Sequence, residues 1–228
     1  METRRILALG STGLGGICLL RELMYRKHPT IAYVRNSSKI PEDISSNPLL
    51  EIVVGEMEDT AKLTTVVAKS SMVISLLGPT DMRNHPPYGA WYSEVLRLMR
   101  EQGVRRVWGV CAGSALQPGD SFPLLASLLV RFARLVYPEL NASARAIEQA
   151  FERGGQGLEW TVCRVGRMTG ECDELSWKKD RMMDVYVGSV GGKGWTIETR
   201  RATLAKWIVD CIEDDQNTWV GKMPAVSA

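Results

Sequence analysis

A glycine-rich turn between an apolar strand and an apolar-faced helix constrains this chain more than any other stretch. Arg4-Arg5-Ile6-Leu7-Ala8-Leu9 is a short run of buried-strand type, followed by Gly10-Ser11-Thr12-Gly13-Leu14-Gly15-Gly16. The residues after it can bury one helical face through Leu19, Leu20, Leu23 and Met24. Gly10, Gly13 and Gly16 fall at intervals of three. A strand that turns abruptly into a helix needs a residue without Cβ at the turn. A second is needed where backbone approaches a pyrophosphate, and a third where the helix packs on the sheet. The helix start then offers unpaired N–H groups and partial positive charge to phosphates. Gly10, Ser11, Thr12, Gly13, Leu14 and Gly15 are therefore expected to line a nucleotide.

Two blander readings compete for the same stretch. Arg4 and Arg5 before an apolar run imitate a secretory leader, but the glycine, serine and threonine residues of the turn break it and no small-x-small cleavage site follows. The glycines could also form a turn that binds nothing; the residues at the end of the next strand argue against that.

Thr30-Ile31-Ala32-Tyr33-Val34 reads as a second strand, Glu51-Ile52-Val53-Val54 as a third and Met72 to Leu77 as a central fourth, stopped by Gly78-Pro79. Helical spacing is expected from about Asp59 and again from Tyr88 to Gln102. Val104 to Cys111 is the fifth strand, Asn141 to Arg153 a helix, and Trp160 to Cys163 the sixth strand. Alternating strands and helices imply right-handed crossovers and a doubly wound parallel sheet, an α/β fold of Rossmann type. One domain over residues 1–228 is expected, with the glycine-punctuated stretch 168–201 as a small substrate-side lobe and an amphipathic helix after it. Ligands in such sheets lie beyond the carboxyl ends of the strands. That rim carries Gly10, Arg35, Glu56-Met57, Leu77-Gly78, Cys111, Ser114 and Val165.

Arg35 is the most informative single residue. Sites that prefer NAD place a carboxylate at the end of the second strand to bind the ribose 2′-OH. Here a cation stands there, and no carboxylate occurs before Glu42. Arginine can make forked hydrogen bonds to a 2′-phosphate, and Ser38 and Lys39 lie close enough to add a donor and a charge. NADP(H) is the expected cofactor, with Glu56 and Met57 bordering the adenine and Leu77-Gly78 passing close to the ribose.

Gly10-Ser11-Thr12-Gly13, the run Val34 to Pro41, Val53-Val54-Gly55 and Ile74 to Gly78 together resemble the NmrA-like, atypical short-chain dehydrogenase/reductase family, in the manner of biliverdin-IXβ (flavin) reductases. The resemblance runs from Ile6 to about Gly113 and resumes loosely from Ile147 to Arg167. It implies that Gly10, Thr12 and Gly13 hold the pyrophosphate, that Arg35, Ser38 and Lys39 hold the 2′-phosphate, and that Leu77-Gly78 meets the ribose. The nicotinamide end departs from that family. Ser114 matches only with a one-residue shift, Val165-Gly166-Arg167 replaces a Pro-Pro-His run, and Glu56 stands where an Asp is usual.

No tyrosine in the chain has a lysine four residues later, so the Tyr-x-x-x-Lys proton relay of classical short-chain dehydrogenases is absent. Ser114 could bond a substrate carbonyl or serve only its loop. Arg167 could hold a substrate anion or form a surface ion pair. His85, on the loop after the fourth strand, could move a proton near neutral pH or simply face solvent. These three are the candidate catalytic residues. The expected activity is NADPH-dependent reduction of an apolar, aromatic or polycyclic small molecule. A non-redox isomerase or cyclase and a non-catalytic NADP-sensing regulator are the alternatives.

Composition narrows the partners. A net charge of +2 with scattered Lys and Arg gives no nucleic-acid stripe. Phe122 to Val136 is the longest apolar stretch elsewhere, too short and, with Arg131 and Arg134, too charged to span a bilayer. Five cysteines at 18, 111, 163, 172 and 211 lack zinc or disulfide spacing, so no metal is expected and a reducing, cytoplasmic compartment is. A small-molecule substrate is the expected partner.

Overall fold

The computed structural model describes residues 4–78, 86–113, 115, 117–121, 138–214 and 218–228. Strands β1 (Arg5–Leu9), β2 (Thr30–Val34), β3 (Leu50–Val54), β4 (Ser70–Ser75), β5 (Arg106–Ala112) and β6 (Glu159–Val165) alternate with helices α1 (Leu14–Tyr25), α2 (Glu42–Ser45), α3 (Thr60–Ala68), α4 (Tyr88–Glu101) and α5 (Pro138–Gly154). The second half adds β7 (Arg167–Thr169), α6 (Glu174–Asp180), β8 (Tyr186–Gly188), β9 (Glu198–Arg200), α7 (Arg201–Glu213) and β10 (Ala225–Ser227).

The main sheet runs β3-β2-β1-β4-β5-β6-β10-β8. Its first seven strands are parallel, and β8 closes it antiparallel to β10. The order reverses between β1 and β4, which opens a crevice at their carboxyl ends. Strand ends expected on one rim are therefore on one rim. Helices α1 and α7 cover one face over a core that includes Ile17, Leu20, Trp108 and Trp207. Helices α3, α4 and α5 cover the other over Leu63, Leu96, Ile147 and Phe151. No helix among the described residues is long and apolar enough to cross a membrane.

The sixth strand is longer than its apolar run suggests, because Glu159 and Arg164 also pair with β5. β10 and β8 have too few residues for a visible alternation, and neither stands out in the sequence. The expected lobe has no core of its own. β7 and β9 form a parallel pair beside the main sheet, and β8 joins that sheet. α6 docks on α1 through Glu22, which is fully buried and receives Arg181 at 2.7 and 2.8 Å. The Arg181 guanidinium also lies 4.5 Å from the Tyr25 ring and 5.2 Å from that of Trp177. A buried carboxylate is tolerated only with such partners.

A second buried pair joins the remaining loops. Arg164 on β6 meets both oxygens of Asp120, one at 3.0 Å, and donates to the carbonyls of Met223 (2.6 Å) and Ala115 (2.9 Å). Asp120 also accepts from the backbone N–H of Gln117 at 2.7 Å and of Val190 at 2.8 Å. One carboxylate thus fixes the loop after β5 to the loop after β8. Burial pushes the Asp120 carboxyl up, but the bonds from Arg164 and the two amides outweigh it and hold it below the usual carboxylate range.

Removing one partner of a buried pair strands the other charge. Arg164→Ala should cost about 3–5 kcal/mol of unfolding free energy by urea titration. The Asp120 pKa is lower folded than unfolded, where it is about 3.9. Its contribution is complete above that value and is lost as pH falls through the folded pKa. Asp120→Asn should flatten the acid limb of the stability profile below about pH 4. An unchanged limb would deny Asp120 this role.

Candidate nucleotide-binding site

The turn after β1 is shaped by two glycines that nothing else can replace. Gly10 has φ +73°, and a Cβ on it would lie 2.8 Å from the Leu76 carbonyl carbon. A Cβ on Gly16 would lie 2.2 Å from the Gly10 oxygen. Helix α1 consequently begins in contact with the turn. Gly13 is different: it is the N-cap, extended at φ −79° and ψ 161°, and a Cβ there would meet only the Gly10 oxygen at 3.8 Å. The fold does not require a glycine at 13, but a phosphate close to the backbone does. No side chain caps α1 and no acid stands in its first turn. Its opening N–H groups and dipole are thus available to an anion. The residues present suit a pyrophosphate.

Around that turn, Thr12 and Gly15 are half-buried and Leu14 is exposed. The Ser11 hydroxyl is buried and donates to the Ala8 carbonyl at 2.8 Å, so its side chain serves the turn itself. Met168 on β7 lies over Gly15, its Cε 3.2 Å from where a Cβ would be.

Arg35 leaves the end of β2, exposed, and Lys39 follows four residues later, also exposed. Neither has a carboxylate within 4 Å among the described residues. The short turn Ser37–Lys39 is held by Asn36, whose Oδ1 accepts from the Ser38 N–H at 2.9 Å and the Ser38 hydroxyl at 2.8 Å. Buried Ile40 anchors its far side. Two cations therefore stand on a fixed turn beside the crevice.

At β3, Tyr33 donates to the Glu56 carbonyl at 2.7 Å, and burial with nearby carboxylates pushes its phenol up to about 12. The Glu56 side chain is exposed, whereas Met57 packs into the core beside Leu63. At β4, fully buried Tyr92 accepts from the Ser75 hydroxyl at 3.0 Å and donates to the Leu77 carbonyl at 2.9 Å. That brace sets the path of half-buried Leu77 and Gly78. At β5 and β6, the Gly113 N–H donates to the Val165 carbonyl at 2.7 Å. Cys111 and Val165 are buried, and burial pushes the Cys111 thiol up to about 12.

Of the three candidate catalytic residues, Ser114 and His85 lie outside the described residues. Arg167 is exposed, pairs with Glu198 across the β7–β9 ladder and donates its N–H to the Ile197 carbonyl at 2.8 Å. The structure places it as an ion pair on that small sheet. Tyr88 and Trp91 open α4. Tyr88 is buried and meets the Trp91 ring edge-on at 5.5 Å. Two cavities, of about 420 Å³ between α4 and α5 and about 630 Å³ beside β6 and Met223, lie away from the glycine turn.

The two kinds of glycine separate experimentally. Gly16→Ala should destabilise the fold by about 1–3 kcal/mol through overpacking, read as a lower thermal midpoint. Gly13→Asp should leave that midpoint nearly unchanged while abolishing nucleotide binding by calorimetry. A Gly13→Asp protein that binds NADPH like the wild type would sink this assignment.

No curated protein matched the sequence. Solved structures share the fold. A short-chain dehydrogenase/reductase (wide type) from Veillonella parvula DSM 2008, in complex with NADP, is 18% identical with a TM-score of 0.77, covering 99% of this chain and 94% of its own. A Rossmann-fold NAD(P)-binding family protein from Shigella flexneri is 17% identical, with a TM-score of 0.68 over 98% of this chain and 93% of that one. ChuY, an anaerobillin reductase from Escherichia coli O157:H7, is 14% identical with a TM-score of 0.67, covering 98% and 96%. The family described as NAD(P)H-binding matches residues 10–215, from the first glycine of the turn to just past α7. By that match and by the geometry of its turn, the chain belongs to the NAD(P)H-binding family.

Proposed function

We propose that the protein is an NADP(H)-dependent oxidoreductase of the NmrA-like, atypical short-chain dehydrogenase/reductase type, reducing an apolar, aromatic or polycyclic small molecule. The observation that carries the cofactor choice is the pair Arg35 and Lys39 on a fixed turn at the end of β2, without a carboxylate partner among the described residues. A 2′-phosphate would give both cations a partner, and a bare 2′-OH would not. The NADP complex of the Veillonella structure, on the same fold, supports that choice.

When bound, the nicotinamide supplies the hydride. This chain's residues bind and orient. The first turn of α1 holds the pyrophosphate, Arg35 and Lys39 the adenosine end, and the Tyr92-braced turn at Leu77 guides the ribose. Exposed Leu14 on the turn and half-buried Met168 over Gly15 offer apolar surface beside it, suited to an apolar substrate. No tyrosine–lysine relay supplies a proton. The hydroxyls of Tyr33, Tyr92 and Tyr186 are each committed to a backbone carbonyl. That commitment favours, as a second reading, an isomerase or cyclase that keeps the nucleotide without redox turnover. The free cysteines suit a cytoplasmic setting.

Titration with NADP⁺ and NAD⁺ tests the cofactor. The wild type should prefer NADP⁺, and Arg35→Glu should lose about 1.5–3 kcal/mol of that preference, roughly 10- to 150-fold. Raising the salt should erode the wild-type preference, since both cations face water. Equal wild-type affinities would reduce Arg35 to a surface charge. For the reaction, NADPH oxidation should be followed with flavins, quinones and biliverdin. Tight nucleotide binding without oxidation across that set would favour the non-redox reading.

A further inference from the structure

We infer that Met168 is a positioning residue of the nucleotide site: its thioether roofs the first turn of α1 and keeps water from a pyrophosphate held there. The inference rests on the reading of the glycine turn as the pyrophosphate contact. A Cβ built on Gly15 would lie 3.2 Å from the Met168 Cε and 3.7 Å from the Leu76 Cδ1. Two half-buried apolar side chains thus converge on the second residue of the helix. The first backbone bond of α1 runs from the Ile17 N–H to the Gly13 carbonyl at 2.9 Å. The N–H groups of Leu14, Gly15 and Gly16 donate to no backbone carbonyl among the described residues. Unpaired donors and an apolar cover therefore meet at Gly15. An anion that fills those donors is sheltered on the side where Met168 lies.

Met168 is held in place by the second half of the chain. It pairs in register with Thr199 across the β7–β9 ladder. Thr199 is fully buried, and its hydroxyl donates to the Val226 carbonyl on β10 at 2.8 Å. The Ala228 N–H donates to the Glu198 carbonyl at 3.1 Å. The ladder is thereby tied to the main sheet, and from it Met168 extends over the start of α1. Methionine suits this joint because its unbranched thioether fills irregular gaps. The cations of the same elements are engaged elsewhere. Arg21 donates to the Cys172 carbonyl at 2.8 Å and meets Asp43, Arg167 pairs with Glu198, and Arg200 lies 3.2 Å from Asp180. The charge of a pyrophosphate here falls to the N–H groups and the helix dipole, whose pull on an anion weakens wherever water has access. Shelter is what Met168 adds.

The test is calorimetric titration of the full chain with three probes. NADP⁺ is the whole cofactor, 2′-phospho-ADP-ribose keeps the pyrophosphate and lacks the nicotinamide, and 2′-AMP keeps only the adenosine end. Met168→Ala should weaken NADP⁺ and 2′-phospho-ADP-ribose alike, roughly three- to tenfold, the step between a partly buried and an exposed anion at a helix start. Met168→Val, whose branched side chain suits a strand but lacks the reach, should give the same loss. In both variants 2′-AMP should stay within about twofold of the wild type, since it presents no pyrophosphate to the turn. Met168→Leu restores an apolar cover of similar volume and should bind every probe within about twofold of the wild type. Unchanged affinities in Met168→Ala and Met168→Val overturn the roof and leave the turn assignment standing. An equal loss for all three probes also overturns it, as damage to the site at large. A loss confined to NADP⁺ does so too, because the thioether would then be touching the nicotinamide. A wild type that binds 2′-AMP as tightly as 2′-phospho-ADP-ribose removes the pyrophosphate from the turn itself, and the roof with it.

Discussion

The approach of Gly16 to the Gly10 carbonyl is the contact on which the rest depends. A hydrogen is the largest group that fits there, so α1 leaves the turn at once and lies flat across the sheet. Two consequences follow. The uncapped end of α1 is held at the β1–β4 crevice, where its dipole can act on an anion. Further along the same helix, Cys18 and Glu22 are carried into the protein interior, where Glu22 becomes the dock for Arg181. A single pair of glycines therefore positions both the phosphate end of the site and the anchor of α6.

The two halves of the chain are held by different forces. Up to β5 the sheet and its helices are built from continuous apolar strands and faces, and burial of that surface supplies the drive to fold. Between β6 and α7 the apolar pieces are short, and buried ions add the connections: Glu22 with Arg181, Asp120 with Arg164. Such pairs contribute little net free energy, because desolvation offsets their attraction. They do fix geometry, since a buried charge left alone is far more costly than the pair.

This difference explains what the sequence revealed. The glycine turn, the strand ends and Arg35 were legible because each follows from a local rule: a tight turn, a buried parallel strand, a cation where a carboxylate is usual. The doubly wound parallel sheet followed from the alternation of strands and helices, but its strand order did not. β10 and β8 were not legible, because three residues carry no period and their pairing depends on partners far along the chain. Arg164 showed the limit of composition: an arginine at a strand end looks like surface, and only Asp120, forty-four residues earlier, makes its burial possible.

The sheet ends in two unlike margins. At one, β8 offers only three residues, Tyr186–Gly188, and the chain then turns into a loop pinned to Ser121. At the other, β3 carries Glu51 between Arg5 and Lys69, while the Lys62 ammonium sits on the Val54 carbonyl. Strand margins template the addition of foreign strands when they are long, flat and uncharged. One of these is too short and the other is fenced with charge. A sheet of eight strands, seven of them parallel, thereby avoids becoming a seed for fibrils, without needing to close into a barrel.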